Sequence, residues 1–265
     1  MFDRYDRCVT YLRISVTDKC NLRCRYCMPP EGVPLRHHTD FLSFEQITAV
    51  ARAAVGLGVR KIRLTGGEPL VKRDVARLVR MLAGIEGLER LAMTTNAVLL
   101  PALARPLREA GLDSLNISLD TLDAERYRFL TRGGRVEDAL CGIEAARREG
   151  FPVKINMVVL EDTVAQEIER MRQFCGERGM QLQLINRFRL GEEKGDSYGF
   201  DRPPPCERCN RIRLMADGML KPCLHSDREI KVDFSRLEEC LREAAFAKPQ
   251  RGGVCRNRAM SQIGG

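Results

Sequence analysis

Six of the eleven cysteines in this 265-residue chain fall into two tight groups. Cys20, Cys24 and Cys27 stand in a C-x3-C-x2-C spacing; Cys206 and Cys209 stand in a C-x2-C spacing, with Cys223 further on. Thiolates are the usual protein ligands of iron–sulfur clusters, four to a cubane. Three close cysteines leave one iron open, and an open position is what catalysis on a metal requires. The first trio also suits a zinc site completed by His37 or His38, or three incidental buried thiols. The second, read by itself, suits a structural zinc knuckle with His225 as fourth ligand. The other cysteines are Cys8, Cys141, Cys175, Cys240 and Cys255. Cys141 and Cys175 lie in helical patterns and read as small buried side chains.

The elements that must position these thiols follow from periodicity. Strand candidates at 10–16, 60–65, 90–94, 114–119, 153–159 and 181–185 alternate with helical patterns at 44–57, 73–83, 99–110, 136–148 and 164–178. Gly58, Gly111, Gly150 and Gly179 each follow a helical pattern, where a left-handed cap suits glycine. Repeated β–α units predict a parallel sheet with crossover helices. Six of them predict an α/β fold of the partial TIM-type (βα)6 barrel kind. Residues 1–190 form this unit, and residues 191–265 a small C-terminal region. Within that region IRLMADGMLKP reads as a hairpin turning at Asp217-Gly218, which folds Cys223 back towards Cys206 and Cys209. A helix is expected at 234–246.

Several strands alternate polar and apolar residues. Arg13, Ser15 and Thr17 share one face of the first strand, and Lys61, Arg63 and Thr65 one face of the second. Asn116, Ser118 and Asp120 align in the fourth, Lys154 and Asn156 in the fifth, Gln181 and Gln183 in the sixth. A sheet wetted on one side would show such alternation. The amphipathic helices, however, need the apolar face, which turns the polar face inward. An ordinary closed barrel fills its interior with Val, Ile and Leu. A lumen of Arg, Lys, Asn and Ser is a binding cavity, and its cations ask for an anion. The formal net charge of +8 agrees, pointing to a phosphorylated small molecule or nucleic acid.

A hydrophobic content of 44% with 30% charged residues argues against disorder. The opening MFDRYDRC reads as neither signal peptide nor anchor, and no apolar run approaches the roughly 20 residues that span a bilayer. A cytoplasmic protein is expected, in which clustered cysteines bind metal rather than pair as disulfides.

The C-x3-C-x2-C loop directly after the first strand, with Tyr26 between its last two cysteines, resembles the signature of the radical S-adenosylmethionine (SAM) superfamily. Gly66-Gly67-Glu68-Pro69, at the end of the second strand, matches that family's GGEP motif. Further segments sharpen the resemblance to the GTP 3′,8-cyclase family of molybdenum-cofactor biosynthesis: LRISVTDKCNLRCRYCMP, RLTGGEPL, LNISLD, CNRIRLMADGMLKPCL and the ending MSQIGG. They occur in family order from residue 12 to the last residue.

The resemblance implies two 4Fe-4S clusters, one on each cysteine trio. The open iron of the first would be chelated by SAM, and that of the second would meet the guanine base. Tyr26, Gly67, Glu68 and Ser118 would contact SAM. Arg13, Lys61, Arg63, Thr94 and Lys154 would contact GTP, joined by Arg211 and Arg213. The latter two belong to the implied catalytic set with Gly264 and Gly265, whose tail would thread into the barrel beside them. Reductive cleavage of SAM would yield a 5′-deoxyadenosyl radical that takes hydrogen from C3′ of GTP, and C3′ would then attack C8. The implied partners are GTP, a reducing electron donor, the next enzyme of the pterin pathway and a second subunit in a homodimer; neither nucleic acid nor membrane is expected.

The chain departs from the family pattern in three places. Ala97 stands where TTNG is usual. Gln183 and Phe188 replace an arginine and a methionine that help hold SAM. The run from the sixth strand to Cys206 is a few dozen residues short. These departures bear on whether GTP is still the substrate. Two other readings are a paralogue acting on a peptide and a zinc-binding nucleic-acid protein.

Overall fold

In the computed structural model, residues 1–33, 37–195, 199–200 and 205–263 are described. Six parallel strands alternate with helices: β1 (Tyr11–Ser15), α1 (Phe44–Gly56), β2 (Lys61–Thr65), α2 (Val75–Ala83), β3 (Arg90–Thr95), α3 (Leu100–Glu109), β4 (Ser114–Ser118), α4 (Ala124–Thr131), α5 (Val136–Arg148), β5 (Val153–Val159), α6 (Ala165–Glu177) and β6 (Gln181–Asn186). They form an open partial barrel of α/β type, as the alternation predicts. Helix α4 goes beyond that prediction. Three short strands follow, β7 (Arg211–Leu214), β8 (Met219–Lys221) and β9 (Ile230–Lys231), then α7 (Leu237–Phe246) and α8 (Met260–Ile263). Among the described residues no helix is long and apolar enough to cross a membrane.

The sheet order is β6-β5-β4-β3-β2-β1-β7-β8-β9. Strand β7 lies parallel to β1, with Tyr11 opposite Arg211 and Arg13 opposite Arg213. On its other side β1 pairs with β2, Tyr11 opposite Lys61 and Arg13 opposite Arg63. One sheet therefore carries both the (βα)6 unit and the segment after residue 190. The turn between β7 and β8 is one residue longer than Asp217-Gly218 alone. Met215 donates to Met219 O at 2.8 Å, so Ala216, Asp217 and Gly218 form the loop. Gly218 takes a left-handed φ of 82°, which suits glycine in a three-residue hairpin.

The period-two pattern decides which face meets the helices. Leu12, Ile14, Ile62, Leu64 and Met93 are fully buried in one continuous core with Val50, Leu78, Leu82 and Leu107 of the helices. Truncating one of these large side chains to Ala would cost about 2–5 kcal/mol. Helix α1 starts on a capping box: Gln46 N–H donates to Ser43 Oγ at 3.2 Å, and Ser43 N–H donates to Gln46 Oε1 at 2.9 Å. Cys175 is buried, as its helical position predicts, but Cys141 is exposed. On α5 the inward face is made by Ala139, Gly142, Ile143 and Ala146, and residue 141 points away from it.

Candidate functional site

The polar face of the sheet encloses two neighbouring cavities. The first, about 180 Å³, is lined by Cys20, Cys24, Tyr26 and Cys27 from the loop after β1, and by Gly66, Gly67 and Glu68 from the end of β2. Thr94, Thr95, Asn96, Ser118 and Asn156 complete its polar wall, while Val158, Ile185, Phe188 and Met260 supply an apolar one. Two close approaches set the cysteine loop. Gly67 N–H donates to Thr17 O and Glu68 N–H to Lys19 O, both at 2.8 Å. A side chain on Gly67 would lie 2.3 Å from Lys19 O and 2.6 Å from Asp18 O. Gly67→Ala should therefore destabilise the fold by about 1–3 kcal/mol through overpacking, measured by thermal melting, and should lower iron retention by the first trio.

Glu68 is fully buried. Its carboxylate accepts from Thr95 Oγ1 and Asn96 N–H, each at 2.7 Å, and from Leu70 N–H at 3.0 Å. Burial outweighs these donors and lifts its pKa to about 7. Tyr26 OH donates to Asp120 at 2.5 Å, and Val158 N–H donates to the other oxygen at 2.8 Å. This fixes the tyrosine ring between the last two cysteines. Burial, with Asp120 nearby, raises the Cys24 thiol, and burial with Cys20 and Asp120 takes Cys27 to about 12. Such sulfurs ionise as they take up metal.

The second cavity, about 190 Å³, shares Thr94, Asn156, Ile185 and Phe188 with the first. Cys206, Cys209 and Cys223 line it together with Arg13, Lys61, Arg63, Lys154, Lys194, Arg211 and Arg213; no Asp or Glu is among its described lining residues. The cations stand in two rows across three strands: Lys61, Tyr11, Arg211 and then Arg63, Arg13, Arg213. Like charges opposite one another in a sheet repel. Tyr11 relieves part of this. Arg63 Nε donates to its hydroxyl at 2.6 Å, and Lys61 Nζ lies 5.1 Å from its ring centroid. Burial works to raise the Tyr11 pKa, but Arg13, Arg63 and Lys61 outweigh it and bring it to about 8. Burial, then Arg213, Arg211 and Arg63, pull Arg13 down, yet a guanidinium keeps its charge. Arg213 Nε has no hydrogen-bond partner.

Among the described residues no three His, Cys, Asp or Glu side chains close around a single metal-ion position. Each cysteine trio opens instead onto a cavity, and the two trios face a common interior. Thiol-only donor sets bordering spaces of this size fit iron–sulfur clusters. His37 is exposed; the His38 side chain lies outside what is described. His225 is buried in the second cavity beside Phe188, with ring centroids 5.3 Å apart and neither ring nitrogen hydrogen-bonded. Burial, then Lys194 and Arg213, lower its pKa to about 4, so the imidazole is neutral at pH 7.

The six cysteines and the described residues expected to contact SAM or GTP all line one cavity or the other, whereas Ser15, Thr17, Asp120 and Gln181 of the polar face line neither. Gly264 and Gly265 lie outside the described residues. The chain before them is anchored. Arg258 donates to both carboxylate oxygens of Glu229, at 2.7 and 2.6 Å, and to Asp217 at 2.6 Å. This brings Met260 into the wall of the first cavity. Tyr11 and Lys194 are lining groups that sequence reasoning left unassigned to the site.

The Radical SAM superfamily pattern matches residues 14–175. A protein of Moorella thermoacetica named GTP 3′,8-cyclase is 40% identical over 323 aligned positions, covering 100% of both chains. One of Alkaliphilus oremlandii with the same name is 37% identical over 320 positions, again covering 100% of both. The chain belongs to the GTP 3′,8-cyclase family of radical SAM enzymes. Among solved structures, Streptococcus suis SuiB bound to S-adenosylmethionine superposes with a TM-score of 0.71 at 16% identity, over 93% of this chain and 66% of that one. That likeness concerns the fold.

As a radical SAM enzyme this family member uses SAM and a 4Fe-4S cluster. It is also a shortened one. Since 323 aligned positions meet only 265 residues here, 58 positions of the alignment have no counterpart in this chain. Ala97, at the family's glycine position, adopts a left-handed φ of 69°, a conformation glycine reaches without a Cβ penalty. Phe188 lines both cavities, whereas Gln183 lines the second alone. Phe188 and Met260 pack against one small core of Leu190, Met215, Cys255 and Ile263, so the tail closes the wall at the place where strand six differs.

Proposed function

We propose that the chain converts GTP to 3′,8-cyclo-7,8-dihydro-GTP for molybdenum-cofactor synthesis. The observation that carries this reading is the second cavity: seven cationic side chains without a described carboxylate, against the wall of the SAM-motif cavity. So many like charges are stable together when a polyanion joins them, and a triphosphate supplies that charge. Arginines offer planar bidentate donors to phosphate oxygens.

Cys20, Cys24 and Cys27 would hold the first 4Fe-4S cluster, and Cys206, Cys209 and Cys223 the second. When bound and reduced, the first supplies one-electron cleavage of SAM and the second an iron open to the purine. The chain's own residues do the rest. Glu68 accepts from the SAM amino group, and Gly67 lets that loop reach it. Tyr26, held by Asp120, would contact SAM together with Ser118 and Asn156 of the same cavity. Rows of Lys61, Arg211 and Arg63, Arg13, Arg213 fix the triphosphate, with Lys154 added from β5. Thr94, common to both cavities, would border both SAM and the nucleotide. Ile185, Phe188 and Met260 exclude water, which keeps a primary carbon radical from being quenched. An external reductant supplies the electrons, and the setting is cytoplasmic.

The deciding experiment is anaerobic incubation of the reconstituted protein with SAM, dithionite and GTP, with products read by mass. The cyclised dihydro-nucleotide is expected; 5′-deoxyadenosine without any change in GTP would overturn the substrate.

The reading also sets a pH dependence. A carboxyl with a pKa near 7 is charged above that value and neutral below it, and the charged form is the better acceptor for the SAM amino group. Between pH 8 and pH 6 the wild type should lose about tenfold more SAM affinity than Glu68→Gln, measured by equilibrium dialysis, with thermal melting confirming that the variant folds. Parallel profiles would remove Glu68 from the SAM site.

A further inference from the structure

Two lysines approach the second cysteine trio, and among the described residues no lysine donates to a sulfur of the first. Lys194 Nζ donates to Cys206 Sγ at 2.9 Å, and Gly252 N–H donates to the same sulfur at 3.5 Å. Lys248 Nζ donates to Cys209 Sγ at 3.4 Å. Lys248 is 2% exposed and is held by Arg211 O at 2.6 Å and Pro222 O at 3.2 Å, so its ammonium is fixed against the sulfur by two carbonyls. Arg211 and Arg213 add positive charge from the same wall.

The first trio has different surroundings. Leu22 N–H donates to Cys20 Sγ at 3.4 Å, and Asn96 Nδ2 approaches it at 3.9 Å. Arg23 donates to the carbonyl of Cys20 at 2.6 Å rather than to its sulfur. The carboxyls of buried Glu68 and half-buried Asp120 stand near these thiols, and the one cation among the described lining residues, Arg187, has no described hydrogen bond to a cysteine sulfur. The bias falls on Cys206 and Cys209, the two sulfurs that the lysine ammonium groups reach.

Adding one electron to a 4Fe-4S cluster makes it one charge more negative. Hydrogen bonds to its cysteine sulfurs and nearby cations stabilise that reduced form, while buried carboxyls oppose it. We propose that Lys194 and Lys248 are positioning residues that raise the reduction potential of the second cluster above that of the first. This rests on the reading that Cys206, Cys209 and Cys223 hold such a cluster. The two centres then have different roles. The first is a strong reductant, and the second accepts an electron more readily and keeps it.

The test is an anaerobic potentiometric titration of the reconstituted full-length chain, followed by electron paramagnetic resonance with and without SAM. The SAM-sensitive signal reports the first cluster and the SAM-insensitive signal the second. In the wild type the insensitive signal should develop at the higher potential. Lys194→Met and Lys248→Met should each lower the ratio of reduced to oxidised second cluster about tenfold at fixed potential, a shift of about 59 mV, leaving the first cluster unmoved. Lys194→Arg should restore most of the loss. Lys194 is only half-buried, so its variants serve even if Lys248→Met does not fold. An unmoved second midpoint in Lys194→Met, or a wild-type order with the first cluster higher, overturns the proposal alone. Iron for a single cluster and no SAM-insensitive signal overturn the second cluster as well.

Discussion

Replacing Cys24 with Ala should reduce the reductive cleavage of SAM by at least about 1,000-fold, leaving no 5′-deoxyadenosine above background. Cys24 is the middle cysteine of the first trio and borders the cavity that Glu68 and Tyr26 also line. Two thiols do not hold a cubane, so the variant should lose about one cluster's iron while keeping the second. The fold should survive, because Cys24 belongs to a loop and not to the apolar core. Cys141→Ala is the matched control: its side chain is exposed on the outer face of α5, and its activity should equal that of wild type. Continued 5′-deoxyadenosine formation by Cys24→Ala would remove the first trio from the chemistry.

Lys61→Met should weaken GTP binding about 10- to 100-fold, the equivalent of about 1.5–3 kcal/mol for a charge-assisted contact. Arg63→Ala should weaken it at least as much. It is the less clean substitution, since Arg63 also donates to Tyr11 OH at 2.6 Å and to Met93 O at 3.3 Å. Both residues line the second cavity only, so cleavage of SAM uncoupled from substrate should be unaffected. Anaerobic calorimetry measures the first effect and 5′-deoxyadenosine formation without GTP the second. Equal GTP affinity in Lys61→Met and wild type would contradict the triphosphate assignment and favour a substrate of another class, such as a peptide.

The sheet was legible because two periodicities coincide. Polar Arg13, Lys61, Arg63 and Lys154 recur at alternate strand positions, and helices with one apolar face must cover the other side. Tyr11 and Asp120 carried the same signal, having the parity of Arg13 and of Ser118, but neither a phenol nor a lone carboxyl stands out against a row of cations. The parallel pairing of β7 with β1 was not legible. It joins residues about 200 positions apart, and such pairing leaves no local trace. Lys194 and Lys248 reach Cys206 and Cys209 across 12 and 39 positions, so no spacing rule finds them. Cys141 shows the reverse limit: a helical position alone does not say which face a residue occupies.

The pairing of β7 alongside β1 also explains how the chain tolerates its short connector. Asn186 and Cys206 are joined by only a brief run, yet that tether does not set where the second trio stands. The ladder does, by matching Arg211 to Tyr11 and Arg213 to Arg13. The separation of the two cysteine trios is thus a property of neighbouring strands, fixed by main-chain spacing and independent of how long the connector is.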